Sequence, residues 1–175
     1  TAGLKIYTTD DSRMKQYTEE AVEEHLSNLQ PEFNRRQKDN PTAPFLDITP
    51  EETQKIMNQA MKNSERWRIM SINGKSDAEI KQSFEVPAKM KIFTWKGERD
   101  TIMKPKDSIL YYKHFLQTGM MAMEPQTGHV KAWVGGINYK YFQYDHVGQG
   151  ARQVGSTFKP FVYATAIEQL GMSPC

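Results

Sequence analysis

The stretch GARQVGSTFKPF, residues 150–161, decides how the rest of this 175-residue chain is interpreted. Gly155 precedes Ser156, Lys159 follows three residues later, and an apolar helical run comes next. Residues at positions i and i+3 lie on one face of a helix, about one turn apart. A neutral lysine amine at that spacing can accept the proton of a serine hydroxyl and make the serine a nucleophile. We therefore predict that Ser156 is an acyl-transfer nucleophile and that Lys159 is its general base.

The same Ser-x-x-Lys spacing occurs a second time, at Ser12 and Lys15. Ser12 is flanked by charged residues, which is typical of the first turn of a surface helix. Glycines before Ser156 allow close approach to the helix start, and the apolar residues after it predict a helix buried in a core. These residues are Phe158, Phe161, Val162, Ala164, Ala166 and Ile167. On spacing alone, a helix-capping serine and a solvated lysine stay as the alternative.

The length, net charge and residue composition of the chain indicate which classes of protein are possible. The chain is long enough for one domain, or one domain with a small appendage. Its net charge of +2 gives no electrostatic argument for a nucleic-acid partner. No apolar run approaches the roughly 20 residues that span a bilayer, so this piece is predicted to be soluble. The four histidines share no metal-ligand spacing, and the single cysteine, Cys175, cannot form an internal disulfide.

The first 30 residues predict a strand followed by a helix. Residues 3–9, GLKIYTT, alternate in the way of a strand. Asp10 or Asp11 is predicted to cap a helix that ends near Leu29. We expect its inner face to carry Met14, Tyr17, Ala21, Val22 and His25.

Residues 30–85 predict a small helical module. Thr49 caps a helix, Pro50 occupies its first position and Glu52 completes a capping box. This helix is expected to run to about Ile69, and Asn73-Gly74 ends the helical run. Ser76 and Glu79 form a second capping box before a short helix.

The remainder predicts antiparallel strands and two helices. Residues 90–95 pair with residues 100–103, and a helix runs from Pro105 through Gln117 to a left-handed Gly119. A hairpin joins residues 120–123 to residues 129–134. An aromatic loop at residues 139–144 is expected to pack over a core edge. The chain then leads to Ser156 and a final helix that ends near Leu170.

Three segments together resemble class A (bifunctional) penicillin-binding proteins. The hairpin MMAMEPQTGHVKAWVGG resembles the first strands of their transpeptidase domain, and GLKIYTTDDSRMKQYTEEAV resembles the segment that precedes it. The family's active serine lies in R-Q-x-G-S-x-F-K-P, matched here by ARQVGSTFKP. The resemblance covers about residues 3–26 and 88–175, so we interpret the module between them as a variable insertion.

The resemblance implies an α+β fold: an incomplete penicillin-binding/β-lactamase-like transpeptidase fold with antiparallel strands, the active-serine helix and an inserted helical module. It implies a linker strand and helix at residues 1–29, the helical insertion at 30–87 and the N-terminal part of the transpeptidase domain at 88–175. Ser156 would attack the D-Ala-D-Ala carbonyl of a peptidoglycan stem peptide, and Lys159 would accept its proton. The acyl group would pass to an amine of a neighbouring stem peptide, and β-lactams would acylate the same serine. No cofactor or metal is implied.

The family's two further motifs, Ser-x-Asn after the serine and Lys-Thr/Ser-Gly, are not found in these residues. We therefore expect a piece of a longer, membrane-anchored bacterial protein that works on the extracytoplasmic face, and little activity from the piece itself. The alternatives are a class B penicillin-binding protein or serine β-lactamase relative, and a non-catalytic linker or interaction module. In the last case residues 30–87 would contact a cell-wall regulator or a glycan.

Overall fold

The computed structural model describes residues 3–173. These residues form helices and two separate two-stranded antiparallel sheets, so the predicted α+β class is confirmed. The elements, in chain order, are α1 (Ser12–Arg36), α2 (Pro50–Lys62), α3 (Glu65–Ile72), α4 (Asp77–Ser83), β1 (Ala88–Thr94), β2 (Gly97–Met103), α5 (Pro105–Lys113), β3 (Met120–Met123), β4 (Val130–Val134), a 3₁₀ helix (Gly155–Phe158) and α6 (Lys159–Leu170).

Helix α1 begins where the sequence predicts and ends later. The Asp11 carboxylate accepts hydrogen bonds from the backbone N–H groups of Arg13 and Met14. The predicted end near Leu29 is wrong, because α1 continues through Pro31 to Arg36. A proline inside a helix removes one backbone hydrogen bond. The buried Gln30 supports the helix at that point, since its side chain donates to His114 O at 2.8 Å and accepts from Leu116 N at 2.9 Å.

The buried face of α1 also differs from the predicted one. Thr18, Leu26 and Gln30 are buried, whereas Met14 and Tyr17 are exposed. These buried residues are separated by eight and four positions and two of them are polar, a pattern that a search for apolar residues misses. Helix α1 packs against β4, whose Ala132 and Val134 are buried.

Residues 3–9 are not a strand, so that prediction is wrong. Leu4, Ile6 and Tyr7 are all largely exposed. Contact with β4 is confined to the end of the segment, where Thr9 Oγ1 donates to Val130 O and Asp11 N donates to Lys131 O. Alternating side chains become a strand only when a neighbouring edge pairs with the backbone over several residues.

The helical module consists of α2, α3 and α4. Both predicted capping boxes are confirmed, at Thr49 with Glu52 and at Ser76 with Glu79. The prediction of a single helix that reaches Ile69 is wrong, because α2 ends at Lys62 and a separate helix, α3, begins at Glu65. Ser64 causes the restart, since its hydroxyl accepts from Trp67 N as a new N-cap.

The module has a core that we call the helical core: Met61, Trp67, Ile80 and Phe84. Ile109 of α5 packs against it, and Lys106 N donates a hydrogen bond to Phe84 O. The module therefore shares its packing with α5, which lies beyond residue 87.

A second packed region joins β1, α5 and the aromatic loop. Strands β1 and β2 pair from Ala88↔Met103 to Thr94↔Gly97. The buried Phe93 lies with its ring centroid 5.3 Å from Phe115, 5.7 Å from Tyr141 and 5.6 Å from Phe142. The loop thus packs over a core edge, as predicted.

The predicted end of α5 is wrong. The helix stops at Lys113 and is followed by His114 in a right-handed conformation. Gly119 has no positive φ. It is required for close approach instead, because a Cβ there would lie 2.8 Å from Val147 Cγ2 and 2.9 Å from Val147 N.

Strands β3 and β4 form the predicted hairpin, with Met120↔Val134 at one end and a bulge between Ala122 and Met123. Its turn is closed by hydrogen bonds from Gly128 N to Glu124 O and from Glu124 N to His129 O. Gly128 has φ 72°, which favours glycine over residues with a side chain.

Candidate active site

Ser156 and Lys159 lie one turn apart on consecutive helical segments. Ser156 is in the 3₁₀ helix Gly155–Phe158, and Lys159 is the first residue of α6. The backbone N–H of Lys159 donates to the carbonyl of Ser156. A 3₁₀ helix has about three residues per turn, so side chains at i and i+3 project from the same side. The backbone therefore places the two side chains on one face.

Gly155 sets the direction in which the chain enters this turn. Its φ of 51° lies in the left-handed region, which residues with a Cβ rarely adopt. A Cβ at this position would meet no atom within 4 Å, so the requirement for glycine is conformational and not steric crowding. The glycine that the sequence places before the serine thus has a defined backbone role.

The predicted burial of α6 is wrong for the described residues. We call residues 155–170 the serine segment. Within it Phe161 is 66% exposed and Ile167 is 47% exposed. The main packing partner of α6 is the adjacent 3₁₀ helix, with the rings of Phe158 and Phe161 at 5.5 Å. Apolar residues are buried only where another element covers them, and no other described element covers this helix to a comparable extent.

A turn whose hydrogen bonds converge on Asp145 precedes the serine segment. Its carboxylate accepts hydrogen bonds from Trp133 Nε1 at 3.1 Å, Val147 N at 2.9 Å and Gly148 N at 3.1 Å. The bond from Gly148 is the largest cause of the lowered pKa of Asp145. A Cβ at Gly135 would lie 2.6 Å from Asp145 Oδ1, so any larger residue there would have to displace this carboxylate from its hydrogen bonds. The sequence prediction missed Asp145, although the glycines on both sides were visible.

Glu98 of β2 accepts hydrogen bonds from two residues of the aromatic loop. Its carboxylate accepts from Lys140 Nζ and, at 2.8 Å, from the Tyr141 hydroxyl. Lys91 Nζ lies 3.6 Å away on the neighbouring strand. The hydrogen bond from Lys140, followed by that from Tyr141, lowers the pKa of Glu98. Nothing in the sequence links Glu98 to a loop more than 40 residues later, so this contact was not predicted.

The structure contains two clefts away from Ser156. One, of about 490 Å³, lies between α1 and residues 133–145. The other, of about 720 Å³, lies between the second half of α1, the end of β1 and α5. Within residues 3–173 no group of three or more His, Cys, Asp or Glu side chains is arranged to hold a metal ion. No helix of the described part has the length and apolar character needed to cross a membrane.

Comparison with known proteins supports one family. A model described as "Penicillin-binding protein middle domain" matches residues 40–116, which run from the helical module through β1, β2 and α5. Penicillin-binding protein 1A of Rickettsia felis is 30% identical over 99% of this chain and 24% of its own length. Penicillin-binding protein 1A of Vibrio cholerae is 42% identical over 30% of this chain and 6% of its own length. Penicillin-binding protein 2D of Bacillus subtilis is 44% identical over 34% of this chain and 8% of its own length.

The chain therefore belongs to the penicillin-binding protein family. Over nearly its whole length it is similar to a penicillin-binding protein 1A, so the resemblance to the class A members is confirmed. The chain spans about a quarter of the length of that relative. No solved structure matches it.

Proposed function

We propose that the longer protein is a serine-type peptidoglycan D,D-transpeptidase in which Ser156 is the nucleophile and Lys159 the general base. The observation that carries this proposal is the 3₁₀ turn that sets Ser156 and Lys159 on one face, joined by the hydrogen bond from Lys159 N to Ser156 O. The similarity to penicillin-binding proteins 1A supports the substrate class. The finer fold we propose is that of the penicillin-binding/β-lactamase-like transpeptidases.

In the proposed mechanism, Ser156 Oγ attacks the penultimate D-Ala carbonyl of a stem peptide while the neutral Lys159 amine accepts the hydroxyl proton. The tetrahedral intermediate expels the terminal D-Ala, which receives that proton. An amine of a second stem peptide then attacks the acyl-enzyme and restores Ser156. The backbone N–H of Ser156 is one donor toward the developing oxyanion. A β-lactam enters the same first step, and its opened ring stays attached to Ser156.

The test is acylation of the full-length protein by a fluorescent penicillin, with Ser12 as an internal control. Ser12 and Lys15 repeat the spacing in the same chain, and α1 begins at Ser12. We expect Ser156→Ala to abolish labelling, Lys159→Met to slow it by about 10²–10⁴-fold and Ser12→Ala to leave it unchanged. Labelling that survives Ser156→Ala would contradict the assignment of Ser156 as the nucleophile.

We expect the 175-residue chain by itself to react slowly with penicillin. The serine segment is exposed in the structure, so bound substrate would stay in contact with water. Loss of a single oxyanion donor alone costs about 10²–10³-fold in rate. Rapid labelling of this chain at Ser156 would contradict the expectation.

We also propose where the longer protein works and how it is divided. It would be anchored in the bacterial membrane with these residues on the extracytoplasmic side. Residues 1–29 would be the linker, residues 30–87 the helical module and residues 88–175 the start of the transpeptidase domain.

The module would contact a cell-wall regulator, and the exposed Ile72 of α3 is a suitable position for a test. Ile72→Glu should abolish binding of a purified regulator, whereas Ile102→Glu, at a similarly exposed position of β2, should not.

A further inference from the structure

The larger cleft has the size and the mixed lining of a ligand site. Its volume is about 720 Å³, and its walls come from α1, residues 37–43, the end of β1 and α5. Small-molecule sites commonly measure about 300–1,000 Å³ and combine an apolar lining with a few placed polar groups. Ser156 and Lys159 do not line this cleft. A ligand here would therefore bind apart from the proposed transpeptidase chemistry.

One wall of the cleft is aromatic, and its rings pack against neighbouring rings. Trp95, Tyr111 and Phe115 line it. The indole of Trp95 lies 6.1 Å from the ring of Phe115 and 5.4 Å from the ring of Phe93. The Tyr111 hydroxyl donates to Phe93 O at 2.7 Å, which fixes its ring as well. This wall presents flat apolar surface at a low cost in conformational entropy.

The opposite wall is formed by α1 and the residues after it, and side-chain amides there have unused hydrogen-bond donors. Asn34 Oδ1 accepts from Gln30, and Gln37 Oε1 accepts from Asn40. The NH₂ groups of Asn34 and Gln37 have no partner among the described residues. His114 uses Nδ1 to contact Leu110 O, which leaves Nε2 available. Asp107 likewise lines the cleft and forms no ion pair within residues 3–173.

The charge of the lining favours an uncharged ligand. Among the lysine, arginine, aspartate and glutamate residues, only Lys38 and Asp107 line this cleft, and their formal charges cancel. The smaller cleft differs, because there Lys15 faces three carboxylates, those of Glu19, Glu23 and Asp145. A neutral lining with planar amides on one side and fixed aromatic rings on the other suits a molecule that has hydroxyl or acetamido groups at its edge and an apolar face.

We propose that the cleft between α1 and α5 binds an uncharged carbohydrate. The apolar face of a sugar ring stacks on Trp95, and hydroxyl or acetamido oxygens accept hydrogen bonds from Asn34 and Gln37. The proposal does not rest on the transpeptidase assignment. A catalytically inactive Ser156→Ala chain should bind the sugar as wild type does.

The experiment is a titration of the ¹⁵N-labelled 175-residue chain with chitotriose, the trimer of N-acetylglucosamine, followed by NMR. The chain has three tryptophans, so three indole N–H signals act as reporters in separate places. Trp95 lines the cleft, Trp67 lies in the helical core and Trp133 lines the smaller cleft. We expect a saturable shift of the Trp95 signal, assigned with Trp95→Phe, and no shift of the other two.

Matched variants on one helix test the polar contacts. Asn34→Ala should weaken chitotriose binding about five- to tenfold, the effect of losing one hydrogen bond. Asn28→Ala on the same helix, at an exposed position outside the cleft, should bind as wild type does. Equal affinity of the Asn34→Ala and wild-type chains would overturn the proposed contact with the amide wall.

Two further outcomes would overturn the proposal as a whole. One is a Trp95 signal that chitotriose does not move. The other is a Trp95 signal that moves with a peptide ending in D-Ala-D-Ala and stays in place with chitotriose, which would make the cleft a peptide site.

Discussion

The helical core and the serine segment contain similar apolar side chains in opposite environments. Phe84 in the helical core is 1% exposed, whereas Phe161 in the serine segment is 66% exposed. Phe84 is enclosed by residues from several helices, including Ile109 from α5. Phe161 has the neighbouring ring of Phe158 as its aromatic contact. The comparison shows that apolar content does not determine burial, which requires other elements at the right distance.

The two regions also differ in how their helices start. Helices α2 and α4 each begin with a complete capping box, which satisfies backbone donors from within the helix. Helix α6 follows Phe158, which offers no side-chain hydrogen bond at the cap, and ends at the left-handed Gly171. The helical core is therefore specified by both local caps and packing. The serine segment is specified mainly by backbone geometry around Gly155 and Gly171.

The strongest test of this comparison is truncation of one phenylalanine in each region. Phe84→Ala should lower the free energy of unfolding by about 3–5 kcal/mol, because it leaves a cavity in a closed core. Phe161→Ala should change it by no more than about 0.5 kcal/mol, as is usual for surface positions. Urea denaturation followed by circular dichroism measures both.

If Phe84→Ala does not fold, the milder Ile80→Val keeps the test available, with an expected loss of about 0.5–1.5 kcal/mol. Ile80 is fully buried in the same core. Equal losses from the Phe84 and Phe161 substitutions would mean that α6 is packed in solution, and the contrast between the regions would fail.

A smaller difference is expected from one threonine in each region. Thr49 Oγ1 accepts from Glu52 N at 3.2 Å, while Thr49 N donates to Glu52 Oε2 at 2.8 Å. Thr49→Ala removes this cap and should cost about 1 kcal/mol. Thr165→Ala in α6 loses only an exposed hydroxyl that donates back to Phe161 O, so it should cost less than about 0.5 kcal/mol. Thermal unfolding of both variants checks the difference, and a larger effect at Thr165 would reverse the proposed order.

Local signals in the sequence predicted much of the fold. The caps at Asp11, Thr49 and Ser76, the stop at Gly74 and the hairpin through Gly128 all depend on residues within a few positions of one another. Such signals act before any tertiary contact forms. The face that places Ser156 and Lys159 together is of the same kind, because a three-residue spacing and a 3₁₀ turn are both local.

Apart from the break between α2 and α3, which the local cap at Ser64 causes, the main errors lie where distant residues decide the structure. Helix α1 continues past Pro31 with Gln30 bonded to His114 and Leu116, more than 80 residues away. Residues 3–9 alternate like a strand and gain only end contacts with β4. Glu98 accepts from Tyr141, 43 residues away, and Asp145 accepts from Trp133, 12 residues away, and no spacing rule connects these partners. These interactions depend on the tertiary arrangement, which the pattern of one segment does not contain.

The smallest effect we predict is a pH dependence that belongs to the helical module. Glu79 accepts hydrogen bonds from Ser76 N and Lys75 Nζ, both at 2.9 Å, and from the Ser76 hydroxyl. These bonds, the backbone one first, lower the pKa of Glu79 from 4.5 to about 2. A carboxylate with a depressed pKa in the folded state stabilises the fold above its unfolded pKa, and that contribution is lost as the pH falls through the folded pKa. The midpoint temperature of thermal unfolding should therefore fall less steeply between pH 5 and pH 2 for Glu79→Gln than for wild type. The control is Glu168→Gln in α6, which breaks no hydrogen bond or ion pair within the described residues and should keep the wild-type slope. A slope unchanged by Glu79→Gln would show that this capping box does not contribute to acid sensitivity.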